Sequence, residues 1–196
     1  LAEGIYTEKR SKFIAIAIPV RTLEEVKQHL EVYQKKYYDA RHVCYAYMLG
    51  HERTNFRAND NGEPSGTAGK PILGQINSNE LTDILIIVVR YFGGIKLGAG
   101  GLIRAYSKSV SNALSEATLV EVREMKEYMC EFTYDLIGSL DYYFSKNNIQ
   151  VIDKSYDEKV SYIYITDSDI SKDLMEISKG KITNTYLEDL MIEVDI

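Results

Sequence analysis

The chain reads as an α/β (α+β) protein of two domains, and three observations carry that reading. Six consecutive apolar residues, 84–89, lead through Arg90-Tyr91-Phe92 into a glycine-dense loop and then into a stretch with helical apolar spacing. A run apolar at every position fits a strand covered on both faces in the middle of a sheet, and it is far too short to cross a membrane. Beyond residue 123 the pattern restarts as strand, helix, strand, strand, helix, strand within roughly 70 residues, a known supersecondary order. Charge divides the same way: residues 1–117 hold 15 Lys+Arg against 12 Asp+Glu, and residues 118–196 hold 8 against 17. A shift of that kind between halves suggests two domains with different surfaces.

The elements follow in order. Residues 13–20 form an apolar strand, and Thr22-Leu23-Glu24-Glu25 is a capping box with Thr22 as N-cap and Glu25 at N3. The helix it opens presents Leu23, Val26, Leu30, Tyr33 and Tyr37 on one face. Residues 42–49, rich in Tyr and Val, make a second strand, with 54–58 as its hairpin partner. Turn formers crowd residues 59–71, where acid, hydroxyl and lysine are interleaved. Pro71 can open a short helix through Ile76 because its missing N–H costs nothing there, and residues 77–80 turn into the central strand. After the glycine loop, Ile103, Tyr106, Val110, Ala113, Leu114 and Ala117 recur near a 3.6 period.

In the second half, residues 128–134 read as a strand and 137–144 as a helix with Leu140, Tyr143 and Phe144 inward. Residues 149–156 and 160–166 form an antiparallel pair across Asp157-Glu158. A helix over 170–178 stops at Gly180, and 182–192 is the last strand. This βαββαβ order is the ferredoxin-like arrangement. A boundary near Arg123 gives domains 1–123 and 124–196.

Composition is that of a globular chain, 45% hydrophobic and 27% charged, and the net charge of −6 argues against a general nucleic-acid binder. The local balance differs. No acid occurs between Ile84 and Ser115, where Arg90, Lys96, Arg104 and Lys108 stand. A basic glycine loop entering a helix N-terminus offers backbone N–H groups and positive potential to an anion. The expected phosphate or RNA contacts are therefore Arg90, Gly93, Gly94, Lys96, Gly98, Gly100, Gly101 and Arg104, with Lys108 solvated on the outer helix face. A nucleotide fingerprint is not met. Residues 93–98 supply both Walker glycines, but Ala99 and Gly100 replace the Lys and Ser/Thr, and a dinucleotide motif from Gly98 meets Ile103 where its third Gly belongs.

A second loop gathers Arg41, His42, Asp60, Glu63, Ser65, Thr67 and Lys70. It reads either as a polar site or as an Asx-turn with a helix cap. His42, Cys44 and His51 sketch a metal site but lack ligand spacing, so no metal, catalytic residue or cofactor is assigned. Ser65 has no nucleophile elbow around it. Cys44 and Cys130 are read as two reduced, half-buried thiols of a cytoplasmic protein rather than a disulfide. Most of the 16 tyrosines are read as core residues with a tethered hydroxyl.

Three motifs together resemble one family. Arg41-His42-x-Cys44-x-Ala46, the run Asp60-Asn61-Gly62-Glu63-Pro64-Ser65-Gly66-Thr67-Ala68-Gly69-Lys70-Pro71, and Arg90-Tyr91-Phe92-Gly93-Gly94-Ile95-Lys96-Leu97-Gly98-Ala99-Gly100-Gly101-Leu102-Ile103-Arg104-Ala105-Tyr106 resemble the IMPACT family in its bacterial YigZ-like branch. The lead-in Lys9-Arg10-Ser11-Lys12-Phe13 agrees, with Lys12 where Arg is commoner; Ala99 stands where Thr is frequent. The resemblance implies an N-terminal domain like elongation factor G domain IV, a fold shared with domain two of ribosomal protein S five. It also implies a C-terminal domain like elongation factor G domain V. Eukaryotic relatives regulate translation initiation by blocking activation of a stress kinase that phosphorylates an initiation factor, and they carry an extra N-terminal partner-binding domain for this. That domain is not expected here, so the kinase-blocking role is not carried over. The resulting expectation is RNA or ribosome binding with a role in translation. The alternative is an enzyme on a small phosphorylated or nucleotide substrate with Glu63 or His42 as base, and the acidic C-terminal domain is open to a protein partner.

Overall fold

The computed structural model describes residues 1–195 and separates them into two units, 1–118 and 119–195, each with its own sheet. The N-terminal unit runs β1 (Ala2–Glu8), β2 (Ser11–Pro19), α1 (Leu23–Lys36), β3 (His42–Leu49), β4 (Asn55–Asn59), α2 (Gly69–Ser78), β5 (Ile84–Tyr91) and α3 (Gly98–Ser115). Its strands lie in the order β1-β2-β5-β3-β4, all antiparallel. The uninterrupted apolar run is thus the middle strand, and Leu85 to Val89 are wholly shielded from solvent.

Alternation along each strand splits the core in two. Phe13, Ala15, Ala17, Cys44, Ala46, Ile86 and Val88 pack beneath α2 and α3, with Ile72, Ile76, Ala105, Tyr106 and Val110 facing them. Ile14, Ile16, Ile18, Val43, Tyr47, Leu85, Ile87 and Val89 pack beneath α1 through Val26 and Tyr33. The capping box at Thr22 and Glu25 forms in both directions. Two positions on the expected helix faces differ. Ile103 is 41% exposed and Leu23 44%, and Leu102, one turn before Tyr106, takes the inward place. Small residues let α3 approach closely: a Cβ on Gly4 would lie 2.2 Å from the Ala113 backbone nitrogen.

The strand β1 has no counterpart in the sequence reading. Its burial alternates along AEGIYTE, but Ala and Gly supply the inward positions, so the apolar signal is faint.

In the C-terminal unit β6 (Val120–Phe132) is followed by a 3₁₀ turn and α4 (Ile137–Lys146), β7 (Gln150–Tyr156), β8 (Val160–Thr166), α5 (Ser171–Ile177) and β9 (Thr183–Asp195). The order β7-β8-β6-β9, antiparallel throughout, is the ferredoxin-like topology. Phe132, Leu140, Phe144, Tyr162, Tyr164 and Leu174 fill its core. Arg123 falls inside β6, which starts earlier than its apolar residues suggest because Val120 to Lys126 are a mostly exposed ribbon paired with β9. No helix among the described residues is long and apolar enough to cross a membrane.

Candidate nucleic-acid interface

Three connections meet at one end of the N-terminal sheet. The pairings Lys12 with Tyr91, Phe13 with Arg90 and His42 with Arg90 bring together the β1–β2 turn, the start of β3 and the loop after β5. Loop 60–68 crosses the same end. Asp60 to Glu63 is a tight turn closed by the Glu63 N–H donating to the Asp60 carbonyl at 2.9 Å. Asn61 and Gly62 stand at its centre with φ of 38° and 81°, the Asn-Gly pair that a turn of this hand favours. The turn drives Glu63 inward.

There Glu63 meets three elements. Arg90 Nη1 donates to Glu63 Oε1 at 2.6 Å, and the Tyr106 hydroxyl donates to the same oxygen at 2.9 Å. His42 Nε2 lies 3.8 Å from Glu63 Oε2, while its Nδ1 donates to the Asn61 carbonyl at 2.8 Å. Burial, with Cys44 and Glu63 close by, raises the Tyr106 phenol far above its ordinary range, so it stays a donor. Burial likewise pushes the Cys44 thiol up to about 12, and its S–H donates to the Asp60 carbonyl. An unionised thiol held in this way is a packing group rather than a nucleophile. The Arg90 guanidinium lies between the rings of Phe13 and Phe92, 5.5 and 5.6 Å from their centroids.

Arg90 is therefore a correction to the expected phosphate contacts: it is 6% exposed and paired to a carboxylate. Sequence alone placed it among free cations because Glu63 is 27 positions away. The second loop is likewise occupied by its own bonds. Asp60 accepts from the N–H groups of Gly66, Ala68 and Gly69 at 2.9, 3.0 and 2.8 Å, capping α2 from outside. Burial alone would raise the Asp60 pKa, but those three bonds outweigh it and hold the carboxyl below its ordinary value. The Thr67 hydroxyl donates to the Pro64 carbonyl. His42 is buried, whereas Arg41, Ser65 and Lys70 face solvent. The Asx-turn and cap reading describes the bonds of Asp60 and Thr67.

The glycine loop divides in the same manner. Gly93 donates its N–H to Ser11 Oγ at 3.1 Å, and a Cβ there would lie 2.0 Å from the Arg10 carbonyl carbon, so this glycine serves a close backbone approach. Gly94 and Gly98 have φ of 85° and 71°, and Gly100 and Gly101 lie in the first turn of α3. No side chain caps that turn and no acid stands in it. Lys96 and Arg104 are exposed and have no carboxylate partner among the described residues.

The β1–β2 turn brings residues that the sequence reading did not assign to this site. Lys9, Arg10 and Lys12 are exposed at the same end of the sheet. The signal was present as a basic run ahead of a strand, but only the pairing of Glu8 with Ser11 shows that Lys9 and Arg10 form a two-residue turn.

Residues 9–114 match the family model described as the Impact N-terminal domain. Over 177 residues the chain is 36% identical to the IMPACT family member YvyE of Bacillus subtilis (strain 168), covering 88% of this chain and 82% of that protein. It is 30% identical over 187 residues to the IMPACT family member YigZ of Escherichia coli (strain K12), covering 92% of each. A crystal structure of a hypothetical protein superposes with a TM-score of 0.61 at 28% identity, covering 95% of this chain and 94% of the other.

Proposed function

Because the chain belongs to the IMPACT family, we propose that its N-terminal unit is a phosphate-recognising module that binds RNA or the ribosome in the cytoplasm and acts in the regulation of translation. The observation that carries this reading is that Lys96 and Arg104 stand exposed, with no carboxylate partner among the described residues, beside the uncapped start of α3 in a stretch free of acidic residues. Cations in that setting neutralise phosphates, and neighbouring backbone N–H groups add hydrogen bonds. The enzyme alternative gains no comparable support. Of its two proposed bases, Glu63 already accepts from Arg90 and Tyr106 beneath the surface, and His42 is buried with its Nδ1 donating to the Asn61 carbonyl.

Binding carried by phosphates weakens with salt, with a log–log slope of about −0.7 per phosphate neutralised on a single strand. Labelled RNA and purified ribosomes titrated at several salt concentrations test the reading. The expected result is weaker binding and a shallower slope for Lys96→Ala/Arg104→Ala. Equal binding by wild type and double variant would overturn it.

A further inference from the structure

We propose that this end of the sheet is a platform for single-stranded RNA, on which Phe92 stacks an unpaired base while Lys9, Arg10 and Lys96 hold the flanking phosphates. The inference rests on the RNA-binding reading above and names the form of RNA and the residues that select it.

The turn between β1 and β2 is the first ground. Lys9 and Arg10 are its two central residues, with φ of 45° and 66°. Asn and Gly are the usual occupants of such a pair, because a side chain with a Cβ is disfavoured at positive φ. Two long cations held there act against local preference. Packing fixes the turn: its backbone rests on Gly93, where no Cβ fits, and Ser11 Oγ accepts the Gly93 N–H. The hairpin tip is thus locked to the loop that carries Lys96. Glu8 at the shoulder of the turn is engaged by the Tyr6 hydroxyl at 2.7 Å, and no carboxylate pairs with Lys9, Arg10 or Lys96 among the described residues.

Phe92 is the second ground, and it is independent of charge. It immediately precedes Gly93 and remains 45% exposed. Its ring is backed by the Arg90 guanidinium, which Glu63 and Phe13 hold in place. An exposed aromatic of fixed orientation among cations suits a base whose face is free. In a duplex those faces are stacked within the helix, so the site favours unpaired RNA.

The test uses the full chain, a labelled single-stranded RNA without self-complementarity, and the duplex made by adding its complement. Wild type is expected to bind the single strand more tightly. Phe92→Leu keeps an apolar cover over Arg90 but cannot stack, so it should weaken single-strand binding about tenfold, within the range measured for base stacking on aromatics, and leave duplex binding unchanged. Lys9→Asn/Arg10→Gly installs the residues that the turn prefers while deleting both charges. It should melt no lower than wild type, bind the single strand more weakly and lower the magnitude of the salt slope by about 1.4, two phosphates at about 0.7 each. A preference for duplex, a Phe92→Leu protein with unchanged affinity, or a Lys9→Asn/Arg10→Gly protein that binds like wild type overturns the inference. If these variants are silent while Lys96→Ala/Arg104→Ala weakens binding, the platform fails and the broader reading survives. Absence of RNA binding by the wild type overturns both.

Discussion

Arg90 Nη1 sits 2.6 Å from Glu63 Oε1, and the two side chains are 7% and 3% exposed. The pair joins β5 to a loop that also contacts β3 and α3. Removing one partner of such a pair strands a buried charge, typically at a cost of about 3–5 kcal/mol, whereas replacing both by apolar residues is often tolerated. Glu63→Ala and Arg90→Ala are each expected to lose most of the stability of the N-terminal unit in chemical denaturation. Glu63→Met/Arg90→Met is expected to lose less than the sum of the corresponding single changes.

Asp60 supplies a pH dependence whose sign is set by its bonds. Its folded pKa lies below the ordinary 3.8 because three backbone N–H bonds outweigh burial. The stability it contributes is complete above that ordinary value and drains away as pH falls through the lower folded one. Asp60→Asn lacks this contribution. The stability gap between wild type and Asp60→Asn, measured by urea unfolding from neutral pH downward, should narrow only below about pH 4.

Both cysteines are buried free thiols, and burial pushes each up to about 12. Little thiolate is present and little of it is accessible, so alkylation should be slow in the folded protein. Mass spectrometry after iodoacetamide treatment at mildly alkaline pH is expected to find neither site modified natively and both modified in denaturant.

Glycines at two positions should respond in opposite directions. Alanine at Gly93 places a methyl against the Arg10 backbone and should destabilise by about 1–3 kcal/mol, the usual range for overpacking. Gly74 lies within α2 with nothing near its missing Cβ, so Gly74→Ala should stabilise by about 0.5–1 kcal/mol. Melting of the two variants beside wild type checks both.

How far the sequence carried this fold depends on how local each signal is. The central strand and the Thr22 capping box each declare themselves within a few residues, the βαββαβ order is a succession of such local signals, and each recurs in the structure. The edge strand β1 and the exposed half of β6 lack concentrated apolar residues and are visible only through their pairing. At the site, the exposed cations Lys96 and Arg104 were legible because their setting is a continuous stretch. The fate of Arg90 was not, since it turns on a carboxylate delivered by a distant loop and a phenol from α3. Chain order likewise hides that the Lys9-Arg10 turn rests on Gly93.

Strand order has a bearing on synthesis as well. Each of the two hairpins, β1–β2 and β3–β4, awaits β5 as its next neighbour, and β5 is made after both. Until residue 91 leaves the ribosome, the nascent chain carries two half-sheets with open inner edges, the geometry most prone to pairing with other chains. Completing β5 closes both edges at once, so truncations ending before residue 84 should accumulate as aggregates while those extending past α3 should stay dispersed.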